Sequence, residues 1–246
     1  MIYIIIVIGL IIGSFLNVGI YRIPKGKSIS YPPSHCPKCE ERLRSIDLIP
    51  VFSYIFNKGK CRYCGENISP RYPIVELMNG FIYMFLYLQF GLTMLFFKYA
   101  ILSSLLIVIS FIDLRYQLIP DRLNVSCLVV GIISTLVYGN KTLILNNILG
   151  LFIGGGLFLI IAVVTRGAMG GGDIKLMGAL GFCFGWTYIL LISFVSFIIG
   201  AIISIFLLAF KIKGRKDYIP FGPFISISAL LAMLYGEELI QIYLRL

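Results

Sequence analysis

The sequence predicts an all-α polytopic membrane protein with about eight transmembrane helices and one large loop outside the membrane. Of its 246 residues, 59% are hydrophobic and only 13% are charged, whereas a soluble domain carries about 25% charged residues. Apolar segments of roughly 16 to 23 residues recur along the chain, close to the length that a helix needs to cross a bilayer. The predicted spans cover residues 2–20, 74–90, 94–112, 123–138, 147–164, 174–186, 188–210 and 222–243.

These spans divide the chain into three predicted regions: the first transmembrane helix at 1–21, a cysteine-containing loop at 22–73 and a seven-helix core at 74–246. The first span is expected to remain in the protein rather than to be removed as a signal peptide. It has no basic residues at its N-terminal end, and no small-residue cleavage site follows it. The second and third spans are expected to be separated near Gly91. The sixth span is the shortest, and Trp186 marks its expected interfacial end.

Lys and Arg side chains fall almost entirely on one predicted face of the membrane. Of the 21 such residues, all but Lys98, Lys141 and Arg245 lie in or beside the loops that follow spans one, three, five and seven. Loops rich in Lys and Arg face the cytoplasm, so the large loop is predicted to be cytoplasmic. The net charge of +10 therefore reflects topology and contact with anionic lipid. No nucleic-acid partner is expected, because no recognisable fold organises the basic residues.

Four cysteines in the large loop form two Cys-x-x-Cys pairs, Cys36 with Cys39 and Cys61 with Cys64. Two such pairs at this separation are typical of a four-thiolate structural zinc site. A loop of about 50 residues is near the lower limit for building its own core, so a metal would stabilise it. The alternative is two disulfides or a redox pair, which a reducing cytoplasm disfavours.

Three carboxylates, Glu76, Asp113 and Asp173, lie at or inside apolar segments. An ionisable residue at membrane depth is costly and is therefore a functional candidate. Asp113 ends the third span and Asp173 starts the sixth, both at the cytoplasmic side. Two aspartates on different helices can share one proton and act as an acid–base dyad. The alternative is a structural pair of helix-end aspartates stabilised by Arg115 and Lys175.

Three glycines, Gly170, Gly171 and Gly172, immediately precede Asp173. Each disfavours a helix by about 1 kcal/mol relative to alanine, but glycine lets another backbone approach closely. We expect a helix break that sets Asp173 beside an extended substrate backbone at the membrane surface. A flexible turn that needs no substrate is the alternative. Another aspartate, Asp121, follows a proline before a span and is expected to cap that helix.

Several segments together resemble the bacterial prepilin peptidases, which are intramembrane aspartyl proteases with a Gly-x-Gly-Asp motif. The motif corresponds to residues 170–173, and its partner aspartate is Asp113 within IDLRYQLIPD. The resemblance extends over nearly the whole chain through GSFLNVGIYRIPKG at 13–26, the cysteine loop and second helix at 35–80, and IPFGPF at 219–224.

The resemblance implies that Asp113 and Asp173 are the catalytic residues, with Gly170 and Gly172 as motif support. It implies cleavage of type IV prepilins or pseudopilins after a glycine. It also implies a multi-pass protein of the bacterial cytoplasmic membrane, with its active site at the cytoplasmic face. Pilus assembly, type II secretion and DNA uptake all use such enzymes.

Members with the cysteine loop also methylate the new N-terminal amine with S-adenosylmethionine, and the resemblance implies this second activity here. Gly59 and Lys60, before the second cysteine pair, are the candidates for methyl transfer. The alternatives are a plain turn at Gly59 and a solvated charge at Lys60. Glu76 is either a further methyl-transfer residue or a buried polar contact to Arg71 or Asn79.

Three other functions stay open at this point. A preflagellin-type peptidase would cleave without methylating, although that group generally lacks the cysteine loop. A membrane thiol oxidoreductase would use the Cys-x-x-Cys pairs, but those cysteines should then face the oxidising side. A small transporter would line a midplane path with ionisable residues, whereas the carboxylates here lie at helix ends.

Overall fold

The computed structural model describes residues 1–139, 141–167, 169–212, 214 and 218–245, with only the backbone of 242–245. Helix makes up 75% of the chain, and no strand occurs among the described residues. The predicted all-α fold is therefore confirmed. The helices are α1 (Ile2–Arg22), α2 (Phe52–Phe56), α3 (Arg71–Phe90), α4 (Met94–Tyr116), α5 (Asp121–Tyr138), α6 (Lys141–Val164), α7 (Gly171–Phe184), α8 (Trp186–Ala209) and α9 (Gly222–Arg245).

Seven helices in the described part of the chain are long and apolar enough to cross a membrane, namely all except α2 and α7. The protein is therefore a multi-pass membrane protein. Its predicted orientation rests partly on Lys213, Arg215 and Lys216, which lie outside the described residues. Gly91 ends α3 with a positive φ of 60°, as the predicted boundary between the second and third spans requires.

Helix α7, the sixth predicted span, has 14 residues and is about 21 Å long at 1.5 Å per residue. It is therefore shorter than the hydrocarbon core, which is about 30 Å thick. Trp186 lies at the junction of α7 and α8, two residues beyond the end of α7, and its interfacial position stays a prediction. Gly185, at φ +81°, separates the two helices, and Trp186 begins α8.

The described chain forms two compact units, Met1–Val108 and Ile109–Leu246. In the first unit, α1 packs closely on α3 at glycines. A Cβ added at Gly9 would lie 2.8 Å from the Cα of Gly80, and one added at Gly13 would lie 2.7 Å from the Cα of Glu76. Gly9 and Gly13 are four residues apart, the spacing by which membrane helices bring their backbones together. The predicted division at residues 21 and 73 stays a prediction.

A buried arginine fixes the start of the loop that connects α1 to α3. Arg22, the last residue of α1, is 6% exposed. Its guanidinium donates to the carbonyls of Ser28 at 3.1 Å and Pro33 at 3.4 Å. The first residues of the loop therefore wrap around the end of α1.

In the second unit, α7 packs against α5, α6 and α8. A Cβ at Gly150 of α6 would lie 2.1 Å from the carbonyl oxygen of Gly181 in α7, and one at Gly154 would lie 2.5 Å from that of Met177. Only glycine permits backbones to approach this closely. This packing surrounds a helix that is too short to span a bilayer by itself.

Candidate active site and cysteine cluster

Asp113 lies in the last turn of α4, and its residue surface is 2% exposed. Its Oδ2 accepts a hydrogen bond from the backbone N–H of Gly222, the first residue of α9, at 2.8 Å. A Cβ at Gly222 would lie only 2.8 Å from the same oxygen, so a side chain there would displace the carboxylate. Unpaired N–H groups at a helix start also favour a negative charge.

Asp173 is the third residue of α7 and is 3% exposed. Its carboxylate is hydrogen-bonded to the backbone of Gly170, the N-cap residue of α7. In a capping box, the side chain of the third helical residue accepts a hydrogen bond from the backbone N–H of the N-cap residue. The bond from Gly170 to Asp173 has this pattern. Its Oδ1 has no hydrogen-bond partner among the described residues. One buried acceptor therefore remains for water or a substrate.

The three glycines before Asp173 have different surroundings. Gly170 is extended, with φ −71° and ψ 144°, whereas Gly171 and Gly172 already belong to the first turn of α7. Of the three glycines, only Gly170 therefore lies in the break between α6 and α7. A Cβ at Gly172 would lie 2.9 Å from that of Ile119, and one at Gly170 would lie 3.0 Å from Oδ2 of Asp173. A Cβ at Gly171 would meet nothing within 4 Å.

The carboxylates of Asp113 and Asp173 lie close enough to interact electrostatically, although their helices are separate. Tyr218, just before α9, interacts electrostatically with both carboxylates. Partial burial raises the pKa of its phenol, and the Asp173 and Asp113 carboxylates raise that pKa further. The Tyr218 hydroxyl would lie 3.6 Å from a Cβ at Gly170. The structure thus brings the two predicted aspartates to one place and adds a tyrosine beside them.

The basic residues considered as structural partners of the two aspartates make other contacts. Lys175 binds Asp121, with Nζ 2.8 Å from Oδ1, and the guanidinium of Arg115 lies over the ring of Tyr116. The prediction that Asp121 caps a helix is wrong. Pro120 occupies the N-cap position of α5, and no side chain caps that helix.

A cavity of about 420 Å³ lies among α5, α6 and α7. Its lining is largely apolar, with Leu128, Leu151 and Ala179 at its walls and the Lys175–Asp121 ion pair at one end. Asn124, 4% exposed, also lines it, and its Nδ2 donates to the carbonyl of Gly172 at 3.4 Å. The cavity therefore borders the glycine turn that holds Asp173.

The sequence alone did not indicate that Gly222 and Tyr218 interact with the two aspartates. A glycine followed by proline at the start of an apolar helix was the available signal at Gly222, since proline favours the first helical turn. No pattern distinguished Tyr218 from other loop tyrosines.

The four predicted cysteine ligands converge in the first unit. The sulfur atoms of Cys36, Cys39, Cys61 and Cys64 lie within 4.8 Å of one another, and those of Cys36 and Cys64 are 3.8 Å apart. Thiolates about 2.3 Å from a tetrahedral zinc ion are separated by about 3.8 Å. Disulfide sulfurs lie about 2.05 Å apart, and all four cysteines are free. This cluster can therefore hold a metal ion.

Matching turns present the two cysteine pairs. The backbone N–H of Cys36 donates to the carbonyl of Glu41 at 3.0 Å, and that of Cys61 donates to the carbonyl of Glu66 at 2.7 Å. Burial raises the pKa of the Cys36 thiol, but hydrogen bonds from the backbone of Cys39 and Lys38 outweigh it and lower the pKa to about 7. A backbone hydrogen bond from Glu66 lowers the pKa of the Cys64 thiol, but burial and hydrogen bonds with the Cys39, Cys61 and Cys36 side chains outweigh it and raise that pKa to about 12. Cys36 is therefore the first of these two thiols to become a thiolate, which is the metal-binding form.

Gly59 and Lys60 immediately precede the second cysteine pair. Gly59 adopts φ +69°, and a Cβ there would lie 3.0 Å from the hydroxyl of Tyr54 in α2. Both observations explain a glycine at this position. The backbone of Lys60 bridges to Asn67, and its side chain is exposed.

Glu76 is 7% exposed, and its carboxylate binds partners that the sequence did not predict. Its Oε2 accepts from the backbone N–H of Val51 at 2.7 Å, and the carboxylate is also hydrogen-bonded to the side chain of Ser14. Asn79 instead donates to the carbonyl of Gly9 and accepts from Ser104. Glu76 therefore makes a buried polar contact, but to the residue before α2 rather than to Arg71 or Asn79.

Comparison with known proteins gives consistent matches along the chain. Residues 7–90 match the model of the bacterial peptidase A24 N-terminal domain, and residues 100–205 match that of the type IV leader peptidase family. Three similar curated proteins are prepilin leader peptidase/N-methyltransferases. That of Bacillus subtilis is 34% identical over 100% of this chain and 99% of its own.

The second, from Legionella pneumophila, is 32% identical over 96% of this chain and 91% of its own. The third, from Pseudomonas aeruginosa, is 31% identical over 98% of this chain and 92% of its own. No solved structure matches the chain. The family predicted from the motifs is confirmed: this chain belongs to the type IV leader peptidase family, whose members are membrane peptidases.

Proposed function

We propose that the protein is an intramembrane aspartyl endopeptidase that removes the leader of type IV prepilins or pseudopilins after a glycine. The observation that carries this proposal is the pair of buried carboxylates, Asp113 and Asp173, which interact although they belong to different helices. The absence of Lys175 and Arg115 from their contacts among the described residues favours catalysis over a structural ion pair.

In the proposed reaction, Asp113 and Asp173 share one proton. The ionised carboxylate takes a proton from a water molecule, whose oxygen adds to the scissile carbonyl carbon, while the protonated carboxyl donates to the carbonyl oxygen. Collapse of this tetrahedral intermediate breaks the C–N bond, and the leaving amine receives a proton. The unpartnered Oδ1 of Asp173 supports its contact with water or substrate.

We further propose that the protein methylates the amine released by cleavage. When bound, S-adenosylmethionine supplies an electrophilic methyl group to an uncharged amine. Gly59, Lys60 and Glu76 are the proposed residues, and α2 connects them: Glu76 binds Val51 at its start, and Gly59 packs on Tyr54 within it. For Glu76, this arrangement favours a positioning role over contact with the methyl group.

Zinc is the metal proposed for the cysteine cluster. Four thiolates whose sulfurs lie within 4.8 Å of one another suit tetrahedral zinc, which would stabilise the loop rather than take part in peptide hydrolysis. We propose that the loop and the peptidase site face the cytoplasm, and the distribution of Lys and Arg in the sequence supports this orientation.

One experiment tests both proposed activities. Purified protein is incubated with a prepilin and S-adenosylmethionine, and mass spectrometry then determines the product N-terminus. Cleavage after a glycine with a methylated amine supports the bifunctional enzyme. Cleavage without methylation supports the preflagellin-type alternative, and no cleavage of any prepilin or pseudopilin contradicts the proposal. A thiol oxidoreductase would instead show redox cycling of Cys36, Cys39, Cys61 and Cys64.

We predict that Asp113→Asn and Asp173→Asn each lower the rate of leader removal by about 10²-fold or more, because loss of a positioned acid or base typically costs 10²- to 10⁴-fold. Asp121→Asn is the matched control, since Asp121 is exposed and paired with Lys175. The rate is measured by gel shift of the prepilin. Cleavage by either dyad variant at the wild-type rate would refute the dyad.

The adjacent glycines should differ in their tolerance of alanine. Gly171→Ala should retain cleavage within about twofold, because its Cβ meets open space and alanine favours a helix. Gly172→Ala should lower both the activity and the thermal stability, because its Cβ would overlap Ile119 and overpacking costs about 1–3 kcal/mol. The measurements are cleavage rate and unfolding temperature in detergent. Equal effects at the two positions would contradict this packing.

Purified protein should contain one zinc ion per chain, bound by four thiolates. Elemental analysis after purification without chelator measures it. Cys64→Ser should lose zinc, whereas Cys183→Ala, which alters a buried cysteine outside the cluster, should retain it. Protein with intact thiols but no zinc would argue decisively against the assignment.

Lys60→Ala should reduce methylation of an already cleaved pilin more than it reduces cleavage of the intact prepilin. The reason is that methyl transfer needs no carboxylate dyad, and Lys60 lies in the loop beside the proposed metal site. Lys58→Ala is the control, since it removes a neighbouring exposed charge. Methyl incorporation from labelled cofactor and leader removal are measured on the same preparations. Equal loss of both activities, or abolition of methylation by Asp113→Asn, would contradict separate sites.

A further inference from the structure

Helix α2 is attached to two membrane-spanning helices through a buried carboxylate. The backbone N–H of Val51, the N-cap residue of α2, donates to Oε2 of Glu76 in α3 at 2.7 Å. The same carboxylate is hydrogen-bonded to the side chain of Ser14 in α1. Val51 has a φ of +64°, which is a rare conformation for a β-branched residue. The start of α2 therefore has a fixed position beside α1 and α3.

This attachment lies below the ends of both spanning helices. Glu76 is five residues inside the start of α3 and Ser14 is eight residues before the end of α1, which correspond to about 7.5 Å and 12 Å along the helix axes. Helix α3 has 20 residues, so its whole length is about 30 Å, the thickness of the hydrocarbon core. If α3 crosses the core over its whole length, Glu76 and the Val51 backbone bound to it lie about 7.5 Å below the start of α3, within the depth that interfacial apolar faces reach.

Large apolar side chains next to this attachment are exposed. In α2, Phe52, Ile55 and Phe56 are 56%, 62% and 79% exposed. They occupy positions i, i+3 and i+4 and so share one face of the helix. The preceding segment adds Leu48 and Ile49, which are 40% and 45% exposed. An apolar patch of this kind on a folded protein indicates a binding surface.

Exposed basic residues flank this apolar segment along the chain. Arg44 precedes the apolar segment, Lys58 and Lys60 follow it, and all three are exposed. The loop at 22–73 contains ten Lys and Arg residues against four Asp and Glu. An apolar face with a basic border is typical of segments that lie in the interface of an anionic membrane. The bilayer is also adjacent, because the helices at both ends of the loop span it.

We propose that the face formed by Phe52, Ile55 and Phe56 enters the interfacial layer of an anionic bilayer, the one that α1 and α3 cross, with Glu76 setting its depth. The cysteine loop is then a membrane-surface module rather than a freely hydrated one. This surface does not depend on the proposed peptidase or methyltransferase activities.

The test uses the full-length protein with a single tryptophan as a reporter. The one tryptophan of the chain is first removed by Trp186→Phe. Phe56→Trp is then introduced into this tryptophan-free protein. The protein is reconstituted into phosphatidylcholine–phosphatidylglycerol vesicles with or without bromine on the acyl chains near the headgroup. The bromolipid should lower Phe56→Trp emission by about twofold, as expected for a side chain at the acyl boundary.

Tyr31→Trp is the matched control in the same loop. Tyr31 is 75% exposed and lies in the segment held at the end of α1 by Arg22, above the level of Ser14. Its emission should be unaffected by bromolipid. Equal quenching at both positions, or none at Phe56→Trp, overturns the proposal. Protection of Phe56→Trp from aqueous acrylamide without bromolipid quenching also overturns it, because a protein surface would then cover the face. Phe52→Trp serves as a second reporter if Phe56→Trp fails to fold.

Two further arms test the anchor and the lipid charge. In the Phe56→Trp background, Glu76→Gln retains an acceptor and should retain quenching, whereas Glu76→Ala should lose most of it. Omission of phosphatidylglycerol should also weaken quenching, because the basic border loses its partner. Unchanged quenching in Glu76→Ala overturns the role of the anchor, and unchanged quenching in phosphatidylcholine alone overturns the anionic requirement.

Discussion

Among the residues that the structure describes, backbone N–H groups rather than basic side chains support the carboxylates of the proposed dyad. Asp113 accepts from Gly222, and Asp173 is hydrogen-bonded to Gly170. A basic side chain in contact would hold a carboxylate ionised, whereas a dyad requires one member to carry a proton. Support from the backbone fixes both positions without adding a positive charge. Glycine is favoured at both supports, because a Cβ at Gly222 would lie 2.8 Å from the Asp113 oxygen and a Cβ at Gly170 would lie 3.0 Å from the Asp173 oxygen.

Close backbone approach also determines how the helix that carries Asp173 packs against its neighbours. Asp173 lies on a helix of 14 residues, so contacts with neighbouring helices must hold it in place. Glycines on α6 and α7 supply those contacts by removing the side chains between the two backbones. Residues without any chemical function, such as Gly150 and Gly181, therefore determine where the carboxylate of Asp173 lies. This also explains why glycines are frequent in this part of the sequence.

The apolar segments predicted the fold because only helices of that length satisfy their backbone hydrogen bonds within a bilayer. Asp113 and Asp173 were predicted as a candidate pair for a related reason, since a carboxylate in such a segment is rarely incidental. Hydrogen-bond partners were not predictable, because they come from distant parts of the chain. Gly222 is 109 residues from Asp113, and Val51 is 25 residues from Glu76. Helix α2 was missed because five residues are too few to show a helical period.

Helix α2 and the turn that follows it are held at both ends by different interactions. Glu76 fixes Val51 at one end, and the second cysteine turn begins with Cys61 at the other. Between them, Gly59 closes the turn onto Tyr54. Gly59 and Lys60 lie next to the cysteine cluster. The exposed apolar face of α2 lies next to the contact between Val51 and Glu76. If the cluster holds zinc, its loss would remove the metal constraint beside Gly59 and Lys60, whereas the hydrogen bond from Val51 to Glu76 would remain. In the proposed arrangement, residues 51–60 would therefore serve both a metal-dependent function and the attachment of the loop to the membrane, through interactions at opposite ends of the segment.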